Sequence, residues 1–204
     1  MLLGETVSEL CKTPFFLYNG TAWVESDDLC TLAVYDRFIS DRAFGQKKRI
    51  MHTPGDKPLP DLDKFVRIGR PDGRSPTYII ESENPDTDQF GSYLNTYMLR
   101  EVQMPLQVYA KVKVGETASG APKYEEGLLP GQFWCDLERY GVARSSELPV
   151  DYDSFTITTS RTVPLPKDCR LHVDVGYAVM KFAITERFDM LNSAQLRVRD
   201  ADAS

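Results

Sequence analysis

Apolar and polar positions alternate with period two along most of this chain. The clearest run is LQVYAKVKV, residues 106–114. Leu106, Val108, Ala110, Val112 and Val114 share one face, and Gln107, Tyr109, Lys111 and Lys113 share the other. Such alternation predicts a strand with one face on a core and one on solvent. LHVDV at 171–175 repeats it, with Leu171, Val173 and Val175 inward and His172 on the exposed face. FFLYNGTAWV, 15–24, reads as a hairpin about Asn19-Gly20, a dipeptide that tolerates positive φ at both central turn positions.

Further strands are predicted at 31–39, 48–52, 64–69, 77–82, 92–102, 131–139, 154–163, 177–185 and 194–199. Helical periodicity is confined to 5–12, and 134–140 (WCDLERY) is open between a short helix and a strand. The expected fold is therefore all-β, an antiparallel β-barrel or sandwich of about ten strands with long loops and little helix. Two stretches read as loops: HTPGDKPLPDLD, 52–63, and GETASGAPKYEEG, 115–127. The first carries three prolines, which a central strand does not accommodate.

The chain has 204 residues, which suits a single β-rich domain of residues 1–204. It also contains an internal echo. Leu59-Pro60, an acid, Phe65–Gly69, then Tyr78-Ile-Ile and Tyr97–Arg100 form one series. Leu165-Pro166, Asp168, Leu171–Gly176, then Tyr177-Ala-Val and Gln195–Arg199 form the other. Two related β-units, about 48–114 and 154–199, would account for it.

Composition narrows the function classes. A 42% hydrophobic content is enough for a packed core, and the formal charge of −6 comes with no basic run longer than QKKR at 46–49. Holding nucleic acid by its phosphates requires clustered cations, so a basic DNA-binding face is not expected. Cys11, Cys30, Cys135 and Cys169 are scattered, and with only His52 and His172 there is no zinc spacing. MLLGETVSEL lacks the charged and apolar regions of a signal peptide, so the cysteines are expected to be reduced and buried in a cytoplasmically made protein. No apolar run is long enough to span a membrane as a helix.

Candidate chemistry concentrates in YIIESENPDTDQFGSYLNTYMLREV, Tyr78 to Val102. Counted from Asn84 as a calcium loop, Asp86 and Asp88 fall at ligand positions, but Gln89 stands where glycine is needed and Asn95 where a bidentate glutamate is needed. The stretch reads instead as a hairpin: strand 77–82, a turn through Asn84–Asp88, strand 92–102. Glu81, Glu83, Asp86, Asp88, Glu125 and Glu126 are numerous enough to suggest an acid pair, but they lie in turns or on polar strand faces. No nucleophile elbow and no phosphate-binding glycine loop is present. Phe15, Phe16, Tyr18, Trp23, Tyr35, Phe38, Phe133 and Trp134 could line a sugar or partner platform or fill a β core. No catalytic, metal or cofactor-binding residue is assigned, and no cofactor is expected.

A strand ending in Ile68-Gly69, then Tyr78-Ile-Ile-Glu-Ser82, an acidic turn, and Tyr93-Leu-Asn-Thr-Tyr-Met-Leu-Arg-Glu101 resembles the C-terminal β-unit of tailed-bacteriophage head–tail connector proteins, the head-closure or stopper components of the neck. The match covers Phe65–Val102, more faintly Leu165–Arg199, in a chain longer than small stoppers. The resemblance implies a structural virion protein, made in the bacterial cytoplasm and not an enzyme. It would form a homo-oligomeric ring that joins portal or adaptor to tail proteins and helps close the DNA channel, with only passive contact to DNA and none to membrane. Glu116, Thr117, Ser119, Lys123 and Tyr124 are then the expected assembly loop. Tail-terminator, tail-tube and capsid-decoration subunits, a β-sandwich carbohydrate-binding module, and an enzyme with an unrecognised acid pair stand as alternatives.

Overall fold

The computed structural model describes residues 11–34, 48–54, 59, 64–69, 75–87, 93–139 and 154–201. The described residues are all-β, with thirteen strands and no helix, in two antiparallel sheets. The chain divides into two compact units. The first comprises residues 1–103, 160–162 and 190–193; the second comprises 104–159, 163–189 and 194–204. No linker composition marks the change at Gln103/Met104.

The first sheet holds β1 (Thr13–Tyr18), β2 (Trp23–Val34), β3 (Lys48–Pro54), β4 (Phe65–Ile68), β5 (Thr77–Thr87) and β6 (Tyr93–Glu101), closed as a barrel in the order β1-β2-β3-β6-β5-β4. Its core contains Phe15, Cys30, Met51, Val66, Ile80, Tyr97 and Leu99, all essentially inaccessible. Each such side chain contributes about 1.5–3 kcal/mol by leaving water. Tyr97 is the largest of the fully buried side chains, and its hydroxyl accepts the Leu59 backbone N–H at 3.0 Å.

The second sheet holds β7 (Met104–Glu116), β8 (Pro122–Leu128), β9 (Phe133–Arg139), β10 (Ser154–Ser160), β11 (Arg170–Asp174), β12 (Val179–Asp189) and β13 (Ser193–Asp200). They run in the order β11-β12-β13-β10-β9-β7-β8, and β11 also pairs with β7. That extra pairing joins the run into a second closed circuit, β7-β9-β10-β13-β12-β11, from which β8 projects. Leu106, Val108, Cys135, Ile157, Leu171, Val173, Phe182, Leu196 and Val198 are buried.

Both circuits visit their strands in the same order: first, second, third, sixth, fifth, fourth. The registers also correspond. Thr13 faces Cys30 as Met104 faces Cys135, and Phe15 faces Ile68 as Leu106 faces Val173. Val66 faces Tyr78 as Leu171 faces Phe182, and Tyr78 faces Glu101 as Phe182 faces Asp200. Each fifth strand carries a register shift at the matching place, between Ile80 and Ser82 and between Ile184 and Glu186. Each circuit continues past that corner with the same backbone bond, Val102 N to Thr77 O at 2.7 Å and Ala201 N to Lys181 O at 2.9 Å. The strands that carry the sequence echo, β4–β6 and β11–β13, occupy the fourth, fifth and sixth places in their respective circuits.

Several sequence expectations change in detail. Segment 134–140 lies in β9 as far as Arg139, so the helical option is removed. At the Asn19-Gly20 turn only Gly20 has positive φ, +98°. Asn19 serves as an acceptor instead: its Oδ1 takes the N–H groups of Thr21 and Ala22 at 3.0 and 2.9 Å. The acidic turn expected at Asn84–Asp88 is strand as far as Thr87, where Pro85 pairs with Asn95 inside the ladder, and Asp88 lies outside the described residues. His172 is half-buried against the ring of Tyr109, centroids 4.1 Å apart, since its neighbour strand β7 supplies a cross-strand aromatic. The 52–63 stretch begins in β3 through Pro54; most of its remainder lies outside the described residues, as do 5–10 and 35–39.

All four cysteines are buried and free. Burial, and next the neighbouring Cys11, push the Cys30 thiol up to about 12. Burial likewise raises Cys135, Cys169, Tyr78 and Tyr97 above their ordinary values. A raised acid holds its proton in the folded state where the unfolded chain releases it, so the stabilisation is complete below the unfolded pKa and fades as pH climbs. Stability to urea should therefore hold up to about pH 9 and fall steadily between the ordinary thiol value of 9.0 and the Cys30 value of about 12. A flat profile over that range would contradict the assignment. Tyr97→Phe should cost about 1–3 kcal/mol in the same measurement by orphaning the buried Leu59 N–H, while Tyr124→Phe on the exposed surface should cost nothing measurable.

Candidate functional site

The segment read as a loop at 115–127 is mostly strand. β7 continues to Glu116, and β8 returns from Pro122 to Leu128 in register with it. Lys111 faces Glu126, Val112 faces Glu125 and Lys113 faces Tyr124. The connection is a compact turn: Thr117 N donates to Ala121 O at 2.7 Å, Gly120 N donates to Thr117 O at 2.8 Å, and Ala121 N donates to Thr117 Oγ1 at 3.1 Å. Gly120 supplies the positive φ, +79°, that this turn requires. Ser119 Oγ lies 2.9 Å from Thr117 Oγ1.

Beyond Tyr109 this hairpin leaves the barrel. Ala110 is buried, but Val112 is 38% and Val114 52% exposed, so the apolar face of the strand continues with no core beneath it. On the return strand Tyr124 is 55% and Leu128 51% exposed. Three ion pairs lie along the arm: Lys113–Glu116 at 3.0 Å, Lys123–Glu125 at 2.7 Å and Arg170–Glu126 at 3.6 Å. Side chains this exposed contribute about 0.2–1 kcal/mol each at most, so the arm is held chiefly by its own backbone ladder. A two-stranded ribbon of that kind is marginal in water by itself.

The five residues singled out from the sequence therefore fall at the arm's end: Glu116 closes β7, Thr117 and Ser119 form the turn, and Lys123 and Tyr124 open β8. Sequence reasoning missed the strand-borne part, Lys111–Val114 and Glu125–Leu128. The signal was present in the alternation that runs past Ala110, but alternation cannot say where the core beneath a strand ends.

The arm is also the difference between the two units. Tyr18 faces Trp23 at the corresponding corner of the first circuit, where the chain turns through Asn19–Ala22; Tyr109 faces Leu128 in the second, where residues 110–127 intervene. Both circuits are otherwise closed, although β2, β5 and β12 each outrun one neighbour, β3, β4 and β11 respectively. The arm adds two further strand edges among the described residues: the outer side of β8, and the outer side of β7 past Tyr109.

Other candidate groups do not converge. Among the described residues no cluster of three or more His, Cys, Asp or Glu could hold a metal ion. His52 Nδ1 lies 3.0 Å from Thr96 Oγ1, and Cys11 Sγ is 3.7 Å from the His52 carbonyl, not from its ring. Glu81 is ion-paired with Arg100, and Glu125 and Glu126 lie on the arm. Asp88 and the side chain of Asp86 fall outside the described residues. Phe15, Phe16 and Tyr18 are core residues, Trp23 lies under the Arg67 guanidinium at 4.2 Å, and Phe133 and Trp134 are half-buried. Tyr35 and Phe38 lie outside the described residues.

The chain matches no family model, no curated protein and no solved structure.

Because the corners at Tyr18/Trp23 and Tyr109/Leu128 correspond, residues 110–127 can be replaced by the loop Asn19–Ala22. This armless chain should fold, with a thermal unfolding profile close to that of the parent and a stability change within about 1 kcal/mol, the range expected for losing surface ion pairs. Loss of cooperative unfolding would show that the arm belongs to the folded core.

Proposed function

We propose that this protein is a structural assembly subunit that joins its partners through the β7–β8 arm. Following the resemblance at Phe65–Val102, its assembly is a ring in the head–tail connector of a tailed bacteriophage. The single observation that carries the assembly reading is the arm: a paired β-ribbon that projects past the end of its circuit, with Val112 and Val114 of its first strand exposed. Such a ribbon gains stability when a further strand adds to it, because main-chain hydrogen bonds and a second apolar face then replace water. The excess of acids over bases, a net charge of −6, suits a channel wall to which DNA should not adhere. A sugar-binding platform finds less support, since the arm displays one aromatic, Tyr124, and Trp23 is covered by Arg67.

Light scattering after size exclusion tests this reading. The full chain should elute as a defined oligomer and the armless chain as a folded monomer. A full chain that stays monomeric at every concentration, or an armless chain that assembles equally well, refutes the arm as the joining element. Electron microscopy of the oligomer should show closed rings; open filaments or compact dimers would remove the connector form of the proposal.

A further inference from the structure

The two edges of the arm differ in charge. β7 beyond Tyr109 carries Lys111 and Lys113 with Glu116 at its end; β8 carries Glu125 and Glu126 with Lys123 at its start. Within one chain these strands already pair with Lys111 opposite Glu126 and Val112 opposite Glu125. The outer side of β8 therefore offers a predominantly acidic strand, and the outer side of β7 a predominantly basic one.

We infer that the arm's partner is the arm of a second copy of this chain, joined head to tail, with the outer edge of β8 adding to the outer edge of β7 in the next copy. This deepens the assembly reading and rests on it. Three observations select this arrangement. First, the arm carries two strand edges that outrun the circuit, the outer side of β8 and the outer side of β7 past Tyr109, so one copy of the arm offers each edge the other as its partner. Second, a two-fold β7–β7 pairing centred on Val112 would set Lys111 opposite Lys113. A two-fold β8–β8 pairing would gather four glutamates against two lysines. Like charges facing across strands are unfavourable, whereas β8 on β7 repeats the complementary match found within the chain. Third, Val112 and Val114 share a face that is open to solvent in the single chain. Side-by-side arms in the order β7-β8-β7-β8 add a strand to the open edge of β7 and so cover part of this face from water, with Glu125 between successive valines. A head-to-tail contact of this kind is heterologous, so it propagates until it closes as a ring or continues as a filament.

Cysteine cross-linking reads the pairing directly, because the four native thiols are buried. Two full-length variants, Val112→Cys and Glu125→Cys, are prepared separately, mixed, and treated with a mild oxidant. Both positions face the partner strand at the middle of the arm in the chain's own register. The mixture should give a cross-linked dimer at many times the yield of either variant alone. Strong cross-linking of Glu125→Cys with itself would instead establish the two-fold β8–β8 contact and overturn the head-to-tail arrangement. An unmodified chain that still forms oligomers while neither the mixture nor either variant cross-links would place the contact elsewhere, which refutes this inference. If the unmodified chain forms no oligomer at all, the assembly reading itself fails with it. A second measurement tests the charge match, and co-assembly of the mixed variants separates it from local disruption of the arm. Lys111→Glu with Lys113→Glu should abolish assembly, as should Glu125→Lys with Glu126→Lys, and the two proteins mixed should co-assemble in equal proportion. Assembly of either charge variant alone at the parent's concentration dependence would contradict the charge match.

Discussion

Closure of the strand ladder is the constraint on which the rest of this protein depends. A β-strand carries a donor and an acceptor at nearly every residue, and leaving a row of them unpaired is both costly and an invitation to other chains. Here β1 returns to β4 through Phe15↔Ile68, and β7 returns to β11 through Leu106↔Val173. Those pairings turn two sheets into two closed circuits whose inward side chains are packed away from water. The apolar burial and the raised thiol and tyrosine pKa values follow from that enclosure, since the same dry interior that favours Phe15 and Leu171 disfavours a thiolate at Cys30.

Against that background the β7–β8 arm is the exception. One strand of the second circuit runs on after its barrel partners have ended, and its returning strand follows it out. The corresponding corner of the first circuit turns back at Asn19–Ala22, so the scaffold does not need the arm to close. The arm is thus an edge-bearing extension on a scaffold that closes without it. Its surface ion pairs are too exposed to be the reason for its presence. Its two strands also differ in charge, with Lys111 and Lys113 on β7 and Glu125 and Glu126 on β8.

The correspondence between the circuits also orders the functional question. Shared strand order, matching register shifts at Ile80/Ser82 and Ile184/Glu186, and equivalent corner bonds at Val102 and Ala201 define a common barrel. What departs from that common barrel is where individual function is best sought, and the arm is the largest described departure. The single half-buried histidine stack of His172 on Tyr109 and the Arg67 cover over Trp23 are lesser differences that fill the polar faces of equivalent strands.

Period-two alternation was enough to determine an all-β chain, the inward positions Leu106, Val108, Leu171 and Val173, and the turn at Asn19-Gly20. These features depend on local geometry: side chains of a strand alternate between faces, and few residues other than glycine accept a left-handed backbone. The series at Leu59 and Leu165 likewise marked strands that prove to occupy equivalent places. The sequence could not show that Val112 and Val114 lie past the end of the core, that Pro85 is inside a ladder, or that 115–127 is a ribbon and not a loop. Each of these is decided by where a distant strand stops. Alternation records which face a residue takes, whereas whether that face meets a core, a neighbour or water is set only when strands far apart in the chain have paired.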